Sequence, residues 1–312
     1  MNTMKWLIRR EFWEHRGVFL RLPIIIGLAL LLFVLLATMY GTMPGHVQVN
    51  GQALPMEHMG QVAAAFATYY MAVSTPIFLA LSVVLFFYCL SAMHDERRDR
   101  SILFWKSLPV SDSATVLAKL ATALGVAPLI AIGAAIVASV LVLLLVCIGM
   151  AVGGMSIFGP LLAQPALYLA PLQLLALLPV YALWALPTVG WLLLVSSWAR
   201  SRVFLWAVGL PVLCTVTVKM IALLFDLGWN VDWFAQHIVA RVLSGLVPGV
   251  WLPIEQIDTQ LFLDADTHML KLGVLVQQSW LSLTHMNVWL GAAAGAAMIA
   301  AAIRLRRSCD EV

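Results

Sequence analysis

The sequence predicts an all-α integral membrane protein with six transmembrane helices and both termini in the cytoplasm. Three observations predict it. First, 62% of the 312 residues are hydrophobic and only 11% are charged, whereas a soluble domain carries about 25% charged residues. A water-soluble surface cannot be covered with so few charges, so the outer face must lie in lipid. Second, six apolar runs reach the roughly 20 residues that a membrane helix needs: 22–40, 69–93, 120–148, 168–198, 203–225 and 287–303. Third, the basic residues segregate. With the N-terminus inside, 15 of the 18 lysines and arginines fall in the N-terminal stretch, the loops 94–119 and 199–202, and the C-terminal tail. The positive-inside rule then sets the orientation. Only Lys219, Arg241 and Lys271 fall elsewhere.

Taken in order, residues 1–21 come first. Met4, Ile8 and Phe12 recur at i+4 beside a basic stripe of Lys5, Arg9 and Arg16. This pattern predicts an N-terminal amphipathic helix in the inner interface, apolar side in lipid and basic side toward anionic headgroups. It serves as an orientation anchor or as an elbow that also touches a cytoplasmic partner. The first outer loop follows, with His46, Met56, His58 and Met59. Thioether and imidazole could hold Cu(I), but the spacing fits no specific site, and no metal is expected. The third and fourth runs exceed one membrane thickness, so tilt or kinks must absorb the excess. Pro76, Pro128, Pro171, Pro179, Pro187 and Pro211 lie in or beside spans. They read either as packing kinks or as hinges. In the last span Gly291 and Gly295 form a GxxxG pattern, whose small residues let backbones approach closely. Packing within the chain is favoured over a dimer face. The segment 226–286 is external and semi-polar. Phe234, Ile238, Val242 and Leu246 recur at i+4, predicting an amphipathic helix that lies on, or dips into, the outer surface.

Catalytic chemistry finds no support. There is no HExxH and no carboxylate pair on one face of a span, and no phosphate loop of the form GxxxxGK[ST]. The chain is therefore read as no enzyme, binding no cofactor of its own. The cysteines Cys89, Cys147, Cys214 and Cys309 form no CxxC pair and no disulfide framework. Lys219, high in the fifth span, is expected to snorkel to the outer edge, or else to contact substrate or a lipid headgroup.

The loop 94–119 reads HDERRDRSILFWKSLPVSDSATVLAK. It joins a run of both charge signs to an apolar patch with Trp105, then a turn at Leu108, Pro109 and Val110, then Ser111 or Asp112 as a helix N-cap. Composition alone leaves two readings open: a solvated loop or a docking surface. Its stretch from Glu96 to Lys119 resembles the cytoplasmic loop of the type-2 permease family of ATP-binding cassette (ABC) exporters. Glu96, Arg97, Leu108, Pro109, Val110, Ser111 and Lys119 carry the resemblance, while Ser101 stands where the family often has glycine. The resemblance implies a permease subunit in a bacterial inner membrane, paired with a second permease copy, identical or a paralogue. Two copies of an ATPase subunit would supply ATP and Mg. Glu96, Arg97, Arg100, Trp105, Leu108, Pro109 and Ser111 would couple to that ATPase. Arg306, in the tail, is expected to matter less. The substrate would be amphipathic or lipid-like, with membrane lipids and no nucleic acid as further partners. The alternative is a membrane anchor that moves nothing and recruits a cytoplasmic factor through the same loop.

Overall fold

A computed structural model describes residues 3–40, 56–99, 110–152, 157–226, 228–257 and 272–308. Among them every regular element is helical. Six helical stretches are long and apolar enough to cross a membrane: Thr3–Met39, Val62–Arg98, Asp112–Val152, Pro165–Trp198, Val203–Leu224 and Met286–Ser308. They match the six predicted runs. The chain is a multi-pass membrane protein by this measure.

The first stretch is α1 (Thr3–Arg16), a π turn at Gly17–Arg21 and α2 (Leu22–Met39). The third has the same design: α6 (Asp112–Ala121), a π turn at Thr122–Val126 and α7 (Ala127–Val152). Each π turn lies just before a proline, Pro23 or Pro128. A proline ring clashes with the carbonyl four residues back, and one inserted residue in the helical turn makes room without ending the helix. The second stretch runs from α3 (Met56–Tyr69) through a 3-10 turn into α4 (Thr75–Ser91), then α5 (His94–Arg98). Its helix starts well before residue 69, because the Ala-rich stretch before it contains no proline to stop it. After the short α8 (Phe158–Leu162), the overlong fourth run divides into α9 (Pro165–Ala176) and α10 (Leu178–Trp198), with Pro179 in the first turn of α10. The expected excess length is taken up at that break.

α10 is the central column. Val180, Trp184, Val189, Leu192 and Leu193 on it are fully buried, packed with residues of α4 and α7 in one core. Its main partner is α16 (Met286–Ser308). The two approach where Gly190 meets Gly295: a Cβ on Gly295 would fall 2.8 Å from the backbone of Leu186 and Pro187. Gly295 thus serves packing within the chain. By contrast α2 and α11 (Val203–Leu224) are peripheral, and most of their large apolar side chains are exposed.

The segment after α11 does not lie flat. It folds inward as α12 (Val231–Phe234), a π turn at Ala235–Ala240 and α13 (Arg241–Ser244), then returns through α14 (Trp251–Ile254). At its deepest point the Leu246 carbonyl accepts from Ser82 Oγ (3.0 Å) and Tyr181 Oη (3.3 Å). Nearby, Thr188 Oγ1 donates to the Arg241 carbonyl at 2.7 Å. Ser82 and Thr188 sit midway along α4 and α10. Irregular backbone at that depth is tolerated only when buried in protein that satisfies its polar groups. The inserted residue of the π turn rotates the later residues by roughly 100°, which breaks the predicted i+4 face. Ile238 is turned out, whereas Arg241 and Leu246 are turned in. The return helix α15 (Leu272–Leu281) is held by Trp251 Nε1 donating to Ser279 Oγ at 2.9 Å. Because this segment leans on α4 and α10, the isolated fragment 226–286 is expected to show no cooperative thermal transition in water. A sharp melt without detergent would mean that it folds by itself.

Candidate functional site

The basic ends of the helices converge on a buried ionic cluster. α1 contributes Glu11, which is 2% exposed and accepts from Tyr88 Oη of α4 at 3.0 Å. Lys119 Nζ of α6 lies 3.0 Å from Glu11 Oε1 and 3.1 Å from Glu96 Oε1. Arg306 of α16 then pairs through Nη1 with Glu96 Oε2 (2.6 Å) and through Nε with Asp112 Oδ1 (2.9 Å). Its Nη1 also lies 3.1 Å from Met93 Sδ. The helices dictate this. Asp112 and Lys119 are seven residues apart, two turns of α6, so both face the same way. Ser111 Oγ accepts from the Ala114 amide at 3.2 Å and caps α6, which leaves Asp112 in the first turn, where a carboxylate suits the helix dipole. Three carboxylates, two cations and a phenol are thereby joined across α1, α4, α5, α6 and α16. Such pairs, taken out of water, tolerate the loss of one member badly.

A second junction ties α5 to the end of α10. The amides of Met93 and His94 donate to Ser196 Oγ at 2.9 and 3.1 Å. Arg97 Nη2 donates to the carbonyls of Ser196 and Ala199. A guanidinium on the last carbonyls of a helix satisfies orphan acceptors and complements the dipole. Both ends of the loop that begins at α5 are therefore fixed to the helix bundle.

The predicted coupling residues fall into three groups. Glu96 faces inward, into the ionic cluster. Arg97 caps α10, and Ser111 caps α6. Arg100, Trp105, Leu108 and Pro109 lie outside the described residues, as does His46 of the outer loop, whereas Met56, His58 and Met59 fall in α3. Arg306, expected from the sequence to matter less than the loop residues, is 4% exposed and central to the cluster. Lys219 is exposed on α11, away from the cluster.

Sequence reasoning missed two residues. Glu11 carried a signal: at 3.6 residues per turn it falls within the apolar arc of Leu7, Met4 and Ile8, not in the basic stripe. A carboxylate on an apolar face needs a partner. Arg241 gave no comparable signal. It is 4% exposed, its guanidinium lies 4.3 Å from the Trp184 ring centroid, and it donates to the carbonyls of Asn287 and Val288 at 2.8 and 3.1 Å. A Cβ on Gly291 would collide with this guanidinium, so both glycines of the GxxxG pattern are spent inside the chain.

Beside the infolded segment lies a cavity of about 360 Å³. Leu81, Ile132, Leu174, Tyr181, Trp251 and Val276 are among its lining residues, and among the described residues no charged side chain lines it. Its volume and apolar lining suit a small apolar or amphipathic ligand. Lys219 does not reach it. Compared with known proteins, the chain matches no family model, and no curated protein or solved structure matches it.

Proposed function

We propose that this chain is the membrane-spanning permease subunit of an ABC exporter-like complex in a bacterial inner membrane, moving an amphipathic or lipid-like substrate outward. The reading places both termini in the cytoplasm and α1 in the inner interface. It assigns ATP and Mg to a separate ATPase, present in two copies beneath two permease copies. The chain itself catalyses nothing. The observation that carries the reading is the anchoring of the loop 94–119 at both ends. Glu96 and Arg97 at its start, and Asp112 and Lys119 at its close, are bonded to α1, α10 and α16. Force applied to a loop held this way moves four or more helices together, as a coupling element requires. The largely apolar lining of the cavity of about 360 Å³, as given by the described residues, supports the substrate class.

The test is copurification of an ATPase with the tagged chain from its native membrane. Trp105→Ala and Arg100→Glu are expected to weaken that association by about 1–3 kcal/mol, the scale of a moderate interface hot spot, at unchanged abundance. The proper control is Arg304→Glu, because Arg304 is exposed while Arg306 is buried. Full ATPase coupling in both loop variants would misplace the docking surface. An absence of any associated ATPase would replace the exporter reading with that of an anchor.

A further inference from the structure

At the basic end, the turn after α10 and the exposed side of α5 enclose a basin of about 600 Å³. Arg97, Arg98, Arg200, Arg202 and His94 line it. Arg97 is fixed by its bonds to the end of α10. Arg98, Arg200 and Arg202 are exposed, and none pairs with a carboxylate among the described residues. Arg202 has φ of 50°, a left-handed conformation unfavourable for a residue with a Cβ. Strain of that kind collects at functional positions. The basin shares His94 with a groove of about 440 Å³. That groove runs along Val18, Phe19, Val83, Val84 and Phe87 and reaches Val203, the neighbour of Arg202. Beside both, exposed Trp198 and Trp206 form an edge-to-face pair with centroids 5.2 Å apart. Exposed tryptophans favour the headgroup level.

We propose that the basin and groove together hold one anionic phospholipid, its phosphate among the arginines and one acyl chain along the groove. Four guanidinium groups at headgroup level attract a phosphate, as basic residues near an anionic surface do. The groove extends from that level into the apolar run of α4, where Val83, Val84 and Phe87 lie. A water-soluble protein docked on the basin would leave that groove unfilled, and a free phosphate would use none of it. Asp95 lines the groove, not the basin, so it lowers the positive field without cancelling it. This site is independent of the exporter reading.

Native mass spectrometry of the full-length chain in mild detergent tests the proposal. The probes are palmitoyl-oleoyl phosphatidylglycerol, the phosphatidylcholine of the same chains, and glycerol phosphate. One phosphatidylglycerol per chain should survive activation that strips phosphatidylcholine. The double variant Arg200→Glu/Arg202→Glu should lower its retention about tenfold or more, given the charge reversed at two contributing positions. Val83→Trp should lower it too, with every arginine intact, and excess glycerol phosphate should not displace it. Should the charge-reversed pair fail to fold, Arg200→Gln/Arg202→Gln and Val83→Trp decide the matter. Equal retention of the two lipids, or undiminished retention in the variants, overturns the proposal. Displacement by glycerol phosphate would assign the basin to a soluble phosphate. Loss of ATPase copurification with unchanged lipid retention would assign it to a protein partner. Either result also overturns the lipid site.

Discussion

Lys119→Met is expected to destabilise the protein by about 3–5 kcal/mol, the usual cost of removing one partner from a buried ion pair. The lysine side chain is 4% exposed and lies between two carboxylates, Glu11 and Glu96, at 3.0 and 3.1 Å. Methionine fills the same space but leaves both carboxylates short of a cation. Glu96 keeps Arg306, whereas among the described residues Glu11 keeps only the Tyr88 hydroxyl, so α1 should loosen first. The check is the thermal midpoint in detergent, followed by loss of the monodisperse peak on size exclusion. Adding Glu11→Gln to Lys119→Met should restore part of the loss, because one of the two stranded charges is then gone. A single variant that melts with the parent protein would show that the cluster contributes nothing to stability. Such pairs can also be nearly neutral overall when the whole set is replaced by apolar residues. The expected penalty is therefore for breaking the cluster, not for lacking one.

Gly295→Leu is also expected to be strongly destabilising. Even the first carbon of a side chain there would lie 2.8 Å from the Leu186 and Pro187 backbone, and backbone cannot rotate away as a side chain can. α10 and α16 would have to separate along the main helix contact of the protein. Overpacking typically costs about 1–3 kcal/mol, and more where a backbone must move. The expected readouts are a large fall in folded yield from membranes and a lower thermal midpoint. Gly133→Ala is the matched control. Gly133 lies inside α7, and nothing lies within 4 Å of an added Cβ. Alanine there should be neutral or slightly stabilising, by up to about 1 kcal/mol from helix propensity. Similar melting of the two variants would disprove the close crossing.

Helix number and placement were legible in the sequence because lipid imposes a one-dimensional criterion. An apolar run of about 20 residues satisfies its own backbone hydrogen bonds as a helix, wherever its neighbours stand. The convergence of basic residues on one end followed from the same logic. The consequences of proline were legible in kind, since Pro128 and Pro179 read as kinks or hinges. That Pro128 is absorbed by a π turn, as Pro23 also is, and Pro179 by a break at Leu177 was not.

The candidate site was legible only in outline. The loop 94–119 stood out by its mixed charge, yet sequence could not tell which of its residues face water. Glu96, expected to couple to an ATPase, and Arg306, expected to matter less, are both buried. Their environment comes from partners far along the chain: Lys119 reaches Glu11 across 108 positions, and Arg306 reaches Glu96 across 210.

By itself, then, the sequence determined that six helices are long and apolar enough to cross a membrane and which ends carry the positive charge, because both follow from transfer of local segments between water and lipid. Only the tertiary structure decided that Glu11, Lys119, Glu96, Arg306 and Asp112 form one cluster. It alone decided that Arg241 is buried against Trp184, and that the segment 231–254 folds into the protein. The physical reason is the same for each. Burial of a charge or of irregular backbone is tolerable only when a partner of matching geometry arrives from elsewhere in the fold, and no local pattern encodes that arrival.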